Sequence, residues 1–222
     1  MSVEMYTKNL NNVIEFKDGA ELLFNENIET ELLNGTGLAY GAEFFLKKNS
    51  GRFTGWFSYT LSRTEQRFRS KFPELRINDG NSFATDFDKR HDFSLVGIYR
   101  ISRRVSLSSN LNYSTGRPIT LPVGKYVFDG KIVPHFEDRN LFRLPDYHRL
   151  DLAVRIAGKT ERKGRVRNNR DYWLVTLYNV YARNNIYSYF FRESENNPGE
   201  TIAIPYSIFN SIIPSVTYNF RF

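Results

Sequence analysis

The sequence predicts an all-β fold, an antiparallel transmembrane β-barrel wall of about eight strands. Three observations predict it. Hydrophobic and polar residues alternate along most of the chain, short and long connections alternate between the resulting strands, and aromatic residues collect near the strand ends. No apolar run approaches the roughly 20 residues that a membrane-spanning helix needs.

Period-2 alternation predicts eight strands, of which the first is the weakest. In chain order they cover residues 3–8, 38–48, 52–64, 91–102, 104–116, 147–157, 172–183 and 212–222. Most of them have the roughly 9 to 11 residues that cross a tilted barrel wall.

The connections between these strands alternate in length. The long ones are 9–37, 65–90, 117–146 and 184–211, and the shorter ones are 49–51, 102–103 and the basic turn 158–171. A soluble sandwich has no reason to place every long loop at one end, whereas outer-membrane barrels have short periplasmic turns and long external loops. We therefore expect the last strand to end in the periplasm.

Each predicted strand has one apolar and one polar face. Strand 147–157 sets Leu150, Leu152, Val154 and Ile156 against Arg149, Asp151, Ala153 and Arg155. The last strand sets Pro214, Val216, Tyr218, Phe220 and Phe222 against Ser215, Thr217, Asn219 and Arg221. A soluble antiparallel sheet alternates too, so the loop asymmetry and the terminal aromatics favour the membrane barrel.

Composition narrows the class of protein. With 41% hydrophobic and 25% charged residues, the 222-residue chain is neither disordered nor low-complexity. The absence of Cys excludes a disulfide scaffold and thiolate metal sites. The net charge of +7 is spread thinly except for the run from Lys159 to Arg170, which argues against a nucleic-acid partner.

Four segments carry a family resemblance: DFDKRHDFSLVGIYRIS (86–102), NLNYSTGRPITLPVG (110–124), RLPDYHRLDLAV (143–154) and TLYNVYARNN (176–185). With the closing SIIPSVTYNFRF, they resemble TonB-dependent receptors of the Bacteroidota type in order and rough spacing. The resemblance implies a 22-stranded barrel with a plug domain and a TonB box, which imports siderophores, cobalamin, glycans or peptides.

The chain departs from this pattern because it has no plug domain, no TonB box and no signal peptide at MSVEMYTKNL. We therefore expect residues 1–222 to be the C-terminal portion of such a barrel in the bacterial outer membrane, not transport-competent alone and not an enzyme. The expected partners are outer-membrane lipid, the barrel-assembly machinery and the remainder of the receptor, with TonB reached only through the missing regions.

Two groups of residues are candidate functional sites. The inward-facing charged residues are expected to contact the plug or the substrate, or simply to form a solvated lumen face; they are Glu43, Lys47, Arg149, Asp151 and Arg155. Tyr218, Phe220 and Phe222 resemble the C-terminal signal that the assembly machinery binds by strand addition, although Phe222 also fits an interfacial aromatic.

No residue pattern predicts catalysis, a cofactor or a metal. Asp88, His91 and Asp92 include proton carriers, but no nucleophile motif accompanies them, and the start of a polar strand explains them. His91, His135 and His148 lack metal-site spacing.

Two other functions stay open. A standalone eight-stranded barrel, acting as an adhesin or structural protein, should fill its narrow interior with interlocking ion pairs. A soluble β-sandwich carbohydrate-binding module should dissolve without detergent. The many Ser, Thr and Asn residues on the predicted inward faces suit a wide, wet lumen better.

Overall fold

A computed structural model describes residues 1–23, 25–158, 161–162, 165–166, 171–194 and 200–220. The described residues form an all-β structure, with 61% of them in strands and 5% in helices, and the sheets are antiparallel. The prediction of an all-β antiparallel fold is confirmed.

Apart from a two-residue ninth strand, Phe83–Ala84, the main sheet has eight strands that follow one another in space as they do in the chain. They are β1 (Ser2–Phe16), β2 (Leu32–Lys48), β3 (Phe53–Arg67), β4 (His91–Arg100), β5 (Val105–Ser114), β6 (Tyr147–Ala157), β7 (Tyr172–Tyr178) and β8 (Ile213–Asn219). Each of these strands pairs antiparallel with its neighbours in the chain, and their number agrees with the eight segments that show alternation in the sequence.

The ends of several strands differ from the prediction. β1 continues to Phe16 and β2 begins at Leu32, so the connection between them is much shorter than the predicted loop 9–37. β7 ends at Tyr178 because Asn179 adopts a left-handed backbone conformation, with φ 52°. The strand predicted to reach residue 183 therefore gives way to a turn.

The sheet is open over the residues that the structure describes. β1 and β8 form its two edges, and neither edge pairs with the other there. One edge of β1 and one edge of β8 therefore present unpaired backbone groups.

The long connections contain short elements of their own. A hairpin of Gly124–Phe128 and Lys131–His135 (hairpin 124–135) and a hairpin of Ile186–Glu193 and Thr201–Ser207 (hairpin 186–207) are the longest. The remaining short strands are Phe83–Ala84, Pro118–Ile119, Phe142–Arg143, Glu161–Arg162 and Arg165–Val166, and the 3-10 helices are Ile28–Glu31, Pro73–Leu75 and Asn78–Gly80. None of the described helices has the length and apolar character needed to cross a bilayer.

The register joins the apolar faces of the eight strands into one continuous surface, here called the apolar face. Paired residues share a face of a sheet, and the rows formed by pairing are Tyr59–Phe93–Tyr113–His148, Phe57–Leu95–Leu111–Leu150 and Leu107–Val154–Val175–Val216. Trp173 is 50% exposed and Val216 is 64% exposed, so no other element covers this surface there.

The opposite surface, here called the polar face, consists mainly of Ser, Thr, Asn and charged side chains. Ser94, Asn112 and Arg149 lie in one row across β4, β5 and β6. Phe45 and Trp56 are aromatic exceptions on this face, and their ring centres lie 6.2 Å apart. Apolar side chains therefore collect on one surface of the sheet and polar ones on the other.

A small apolar core lies at the end of the sheet where the long loops are. Leu33, Phe68, Ile77 and Phe83 form this buried cluster, and Phe68 and Ile77 are fully buried. Leu33 has the strand parity of Glu43, so the cluster packs on the polar face. Loop residues 68–83 thus fold against the polar face at this end of the sheet, and the described part of the chain shows no comparable buried cluster elsewhere on the sheet.

Candidate functional site

The most connected polar cluster on the polar face centres on Arg149 of β6. The Arg149 Nε atom donates to Asp151 Oδ1 and Oδ2 at 3.0 and 3.1 Å, and its Nη2 atom lies 3.0 Å from Asp151 Oδ2. Its Nη1 atom donates to the hydroxyl groups of Tyr147, at 2.9 Å, and of Tyr178. The guanidinium carbon also lies 4.0 Å from the centre of the Tyr178 ring.

The backbone of the turn after β7 holds Asp151 in place. Asp151 Oδ1 accepts a hydrogen bond from the Asn179 backbone N–H at 3.0 Å. Asn179 is buried, and its side chain donates to the Arg183 carbonyl and accepts from the Arg183 N–H, both at 3.1 Å. Because the carboxylate is bonded to backbone and guanidinium together, the Arg149 side chain has one strongly preferred orientation.

A cavity of about 230 Å³ opens beside Arg149. Its lining residues are Tyr147, Arg149, Tyr178, Asn185, Ile186, Tyr187, Ile208 and Phe209. The hydroxyl oxygens of Tyr147 and Tyr178 accept from Arg149, so each O–H remains able to donate to a bound group. With Asp151 balancing the arginine charge, the cavity offers hydrogen-bond donors among apolar walls.

The five predicted lumen residues share the polar face but do not form one site. Glu43 and Lys47 lie on β2, in the rows of Tyr147 and Asp151 respectively, with three strands between. Four strand spacings of about 4.8 Å separate them from β6 by about 19 Å. Arg155, near the other end of β6, stacks over the Tyr172 ring at 4.2 Å.

Asp88, which precedes β4, forms a buried ion-pair cluster with Arg143. The Asp88 side chain is 1% exposed; it accepts from the Thr64 backbone N–H at 2.7 Å and pairs with Arg143 Nη2. Arg143 Nη1 also donates to the carbonyl oxygens of Asp88 and Gly116, at 3.2 and 2.9 Å. These contacts tie β3, the start of β4 and both ends of the β5–β6 loop together, so the structure gives Asp88 a scaffolding role.

A second carboxylate, Asp146, fixes the loop that leads into β6. Its oxygens accept from the Tyr113 hydroxyl at 2.7 Å and from the Gly116 N–H at 3.0 Å. The Tyr113 hydroxyl, and after it the Gly116 N–H, hold the pKa of Asp146 below its usual value. Sequence reasoning missed Tyr147, Tyr178 and Asn179, although Tyr147, Arg149 and Asp151 at i, i+2 and i+4 already lie on one strand face.

The three histidines make separate contacts. His91 Nδ1 lies 2.8 Å from the Tyr59 hydroxyl, and His148 Nδ1 lies 2.8 Å from the Tyr181 hydroxyl. His135 belongs to hairpin 124–135. Over the described ranges, no group of three or more His, Asp or Glu side chains could hold a metal ion.

The predicted assembly-signal residues Tyr218 and Phe220 form an aromatic cluster with Trp173. The Trp173 and Tyr218 ring centres lie 4.7 Å apart, and those of Tyr218 and Phe220 lie 5.8 Å apart. Phe222 lies outside the described residues, as does most of the basic turn 158–171.

No family model, curated protein or solved structure matches this chain. The resemblance to TonB-dependent receptors therefore stays a prediction made from the residues quoted above.

Proposed function

We propose that this chain is the C-terminal wall of a TonB-dependent importer in a bacterial outer membrane, and that it does not transport alone. The observation that carries the proposal is the continuous apolar face of the eight-stranded sheet. Tyr99, Trp173 and Val216 on that face are all more than 40% exposed, which is costly in water and favourable in lipid. The polar face then lines the lumen.

The height of the apolar face supports a membrane role. On β6 the face runs from His148 to Ile156, eight residues on, which is about 26 Å along the strand at about 3.3 Å per residue. A strand tilt of about 40° reduces this to about 20 Å across the bilayer, close to the apolar band of outer-membrane barrels. Aromatic side chains mark both limits, with Tyr113 and Tyr181 near the loop end and Trp173 and Tyr218 near the turn end.

The two open edges favour a wall over a standalone barrel. An eight-stranded barrel would pair β1 with β8, and that pairing is absent from the described part of the chain. A soluble sandwich would cover the apolar face with a second sheet, and the described strands form none there. On this proposal the preceding strands of the parent barrel complete both edges.

The Arg149 cluster is the contact that this wall offers to the lumen. Arg149, Tyr147 and Tyr178 lie on the polar face, beside loop residues Ile186 and Phe209. In the importer this position meets either the plug or the passing substrate, and the cavity beside Arg149 provides room for a small ring.

The sidedness of the loops tests the proposal. This chain contributes no cysteine of its own, so single cysteines are introduced at Glu137, in the β5–β6 loop, and at Arg103, in the β4–β5 turn. In intact cells, a membrane-impermeant thiol reagent should label the Glu137 position and spare the Arg103 position, and lysis should make both reactive. Equal labelling before lysis, or recovery of the protein in the soluble fraction, would refute the proposed function.

A further inference from the structure

We propose that a groove at the loop end of β1, β2 and β3 binds the phosphate of a lipid head group. This groove, called the Arg67 groove, has a volume of about 570 Å³. Its lining residues are Asn11, Asn12, Asn34, Gly35, Thr36, Arg67 and Arg69. The inference rests on the proposed function, because a lipid reaches this groove only if the apolar face lies in a membrane.

The register places the groove on the lipid side of the wall. Asn11, Thr36 and Arg67 form one row across three strands, and by strand parity this row shares a face with Leu38 and Leu61. Thr36 is two residues beyond Leu38 on β2, about 7 Å along the strand, and Leu32 of the same face lies further out at the loop end. On the proposed function, lipid head groups lie at the height of the polar row that contains Thr36.

The charge of the groove selects an anion. Two guanidinium groups and several amide and hydroxyl groups line it, and its lining includes no carboxylate. Arg67 Nε donates to the Gly80 carbonyl at 2.7 Å, which orients the guanidinium and leaves its two Nη groups for a ligand. Glu65, the acidic residue next to Arg67 on this face, is paired with Arg63.

An irregularity in β1 brings further donors to the same place. The register shifts between Asn11 and Val13, and Asn12 has a φ of 59°, as expected for a β-bulge. The Asn34 Nδ2 atom lies 3.4 Å from Asn12 Oδ1, so the two amides meet at the rim of the groove. The bulge therefore places the side-chain amides of Asn12 and Asn34 beside Arg67 and Arg69, an arrangement that regular strand pairing would not produce.

A second, apolar groove on the same three strands offers a place for the lipid tail. Its volume is about 410 Å³, and Met5, Ala42 and Leu61 form one row across it. The small side chain of Ala42 leaves the space between the two larger residues. A phosphate above and an apolar groove below, on one face, fit a phosphorylated lipid better than a free anion.

The test uses the full-length gene product that contains these residues, extracted from membranes in a neutral detergent. The midpoint of heat-induced loss of β-structure is measured against the concentration of lipid A with its phosphates, lipid A after phosphate removal, and inorganic phosphate. The variants are Arg67→Gln with Arg69→Gln, and a control, Arg52→Gln with Arg103→Gln, which removes two exposed arginines at the short turns.

We expect only the phosphorylated lipid to raise the midpoint of the wild type. The Arg67/Arg69 double variant should need at least about tenfold more lipid for half of the effect, because each charge-assisted bond contributes about that factor, and the control should behave like wild type. A second pair, Arg67→Lys with Arg69→Lys, keeps the charge and should retain part of the effect if loss of binding, and not misfolding, explains the Gln result.

Three results would overturn the inference: an equal response to both forms of lipid A, equal half-saturation in the two Gln variants, or a full response to inorganic phosphate, which would assign the groove to a free anion. These results are distinct from failure of the proposed function. In that case the wild-type protein would not fractionate with membranes at all.

Discussion

At the residue scale, Asp88 illustrates how a charge serves the scaffold. Its side chain is almost fully buried, and its oxygens are bonded to the Thr64 backbone and to Arg143. Burying a carboxylate is costly unless hydrogen bonds and an opposite charge compensate, and here both are present. Asp88, in the Asp-Lys-Arg-His-Asp segment, therefore links β3, the start of β4 and the two ends of the β5–β6 loop.

We predict that Asp88→Asn lowers the free energy of unfolding by about 2 kcal/mol, because the amide keeps the bond from Thr64 but loses the ion pair with Arg143. The loss of stability is smaller than for a fully buried ion pair because the Arg143 side chain is partly exposed. The measurement is urea unfolding of the detergent-extracted protein. Asp129→Asn, at the exposed tip of hairpin 124–135, is the matched control and should not change the stability. Equal unfolding midpoints for the two variants would contradict a stabilising role for the Asp88–Arg143 ion pair.

At the scale of elements, Gly116 sets how closely the two ends of the β5–β6 loop approach. A Cβ atom there would meet the Leu144 carbonyl oxygen at 1.6 Å, so no side chain fits without moving the backbone. The same loop ends are paired through Pro118–Ile119 and Phe142–Arg143. Glycine is therefore required here for close backbone approach.

We predict that Gly116→Ala destabilises the protein by about 2 kcal/mol or more, because the loop ends must separate and lose their pairing. The matched control is Gly124→Ala, since a Cβ atom at Gly124 meets nothing within 4 Å. Thermal unfolding followed by circular dichroism compares the two variants. A Gly116→Ala protein as stable as its control would show that the loop ends are free to part.

Strand alternation predicted the elements well wherever it was unbroken. The prediction ended β1 at residue 8, whereas in the structure Asn12 forms a β-bulge and the pairing with β2 continues to Phe16. The first residues of β2, which include Gly35 and Gly37, were also left out of the predicted strand. Hairpin 124–135 was missed although Asp129-Gly130 is a typical hairpin turn between two alternating segments.

The candidate site was predictable only in part. Alternation places Arg149 and Asp151 on one face two residues apart, and the structure joins them directly. Their contact with Tyr178 and Asn179 depends on the β6–β7 register and on the turn after β7, which the sequence pattern does not specify. Glu43 and Lys47 were grouped with them by face alone, and the intervening strands keep them apart.

At the scale of the whole molecule, the division between the two faces predicts how the chain responds to a new charge. We expect Val175→Arg, on the apolar face two residues from the turn-end aromatic Trp173, to destabilise the membrane-inserted protein by about 1–2 kcal/mol, between the cost of arginine at the bilayer midplane and its cost at the interface. Thr176→Arg, one residue on and on the polar face, should be tolerated. Both are on β7, so length and strand position are matched.

The measurement is the amount of protein recovered in the membrane fraction and its unfolding midpoint in lipid vesicles. If both arginine variants were recovered at the wild-type level with unchanged midpoints, Val175 would not face lipid. If both variants were absent from the membrane fraction to the same extent, the apolar and polar faces would not lie in different environments.

The order of the main sheet has a consequence for how the chain reaches this structure. Because every strand pairs with its sequence neighbour, each pairing closes only one loop, and no strand has to be threaded between two others. The entropic cost of closing a loop grows slowly with its length, so even the 32-residue stretch 115–146 between β5 and β6 adds little to it. The sheet can thus grow one hairpin at a time from either edge, and its folding rate should be limited by the slowest hairpin instead of by a search for distant partners.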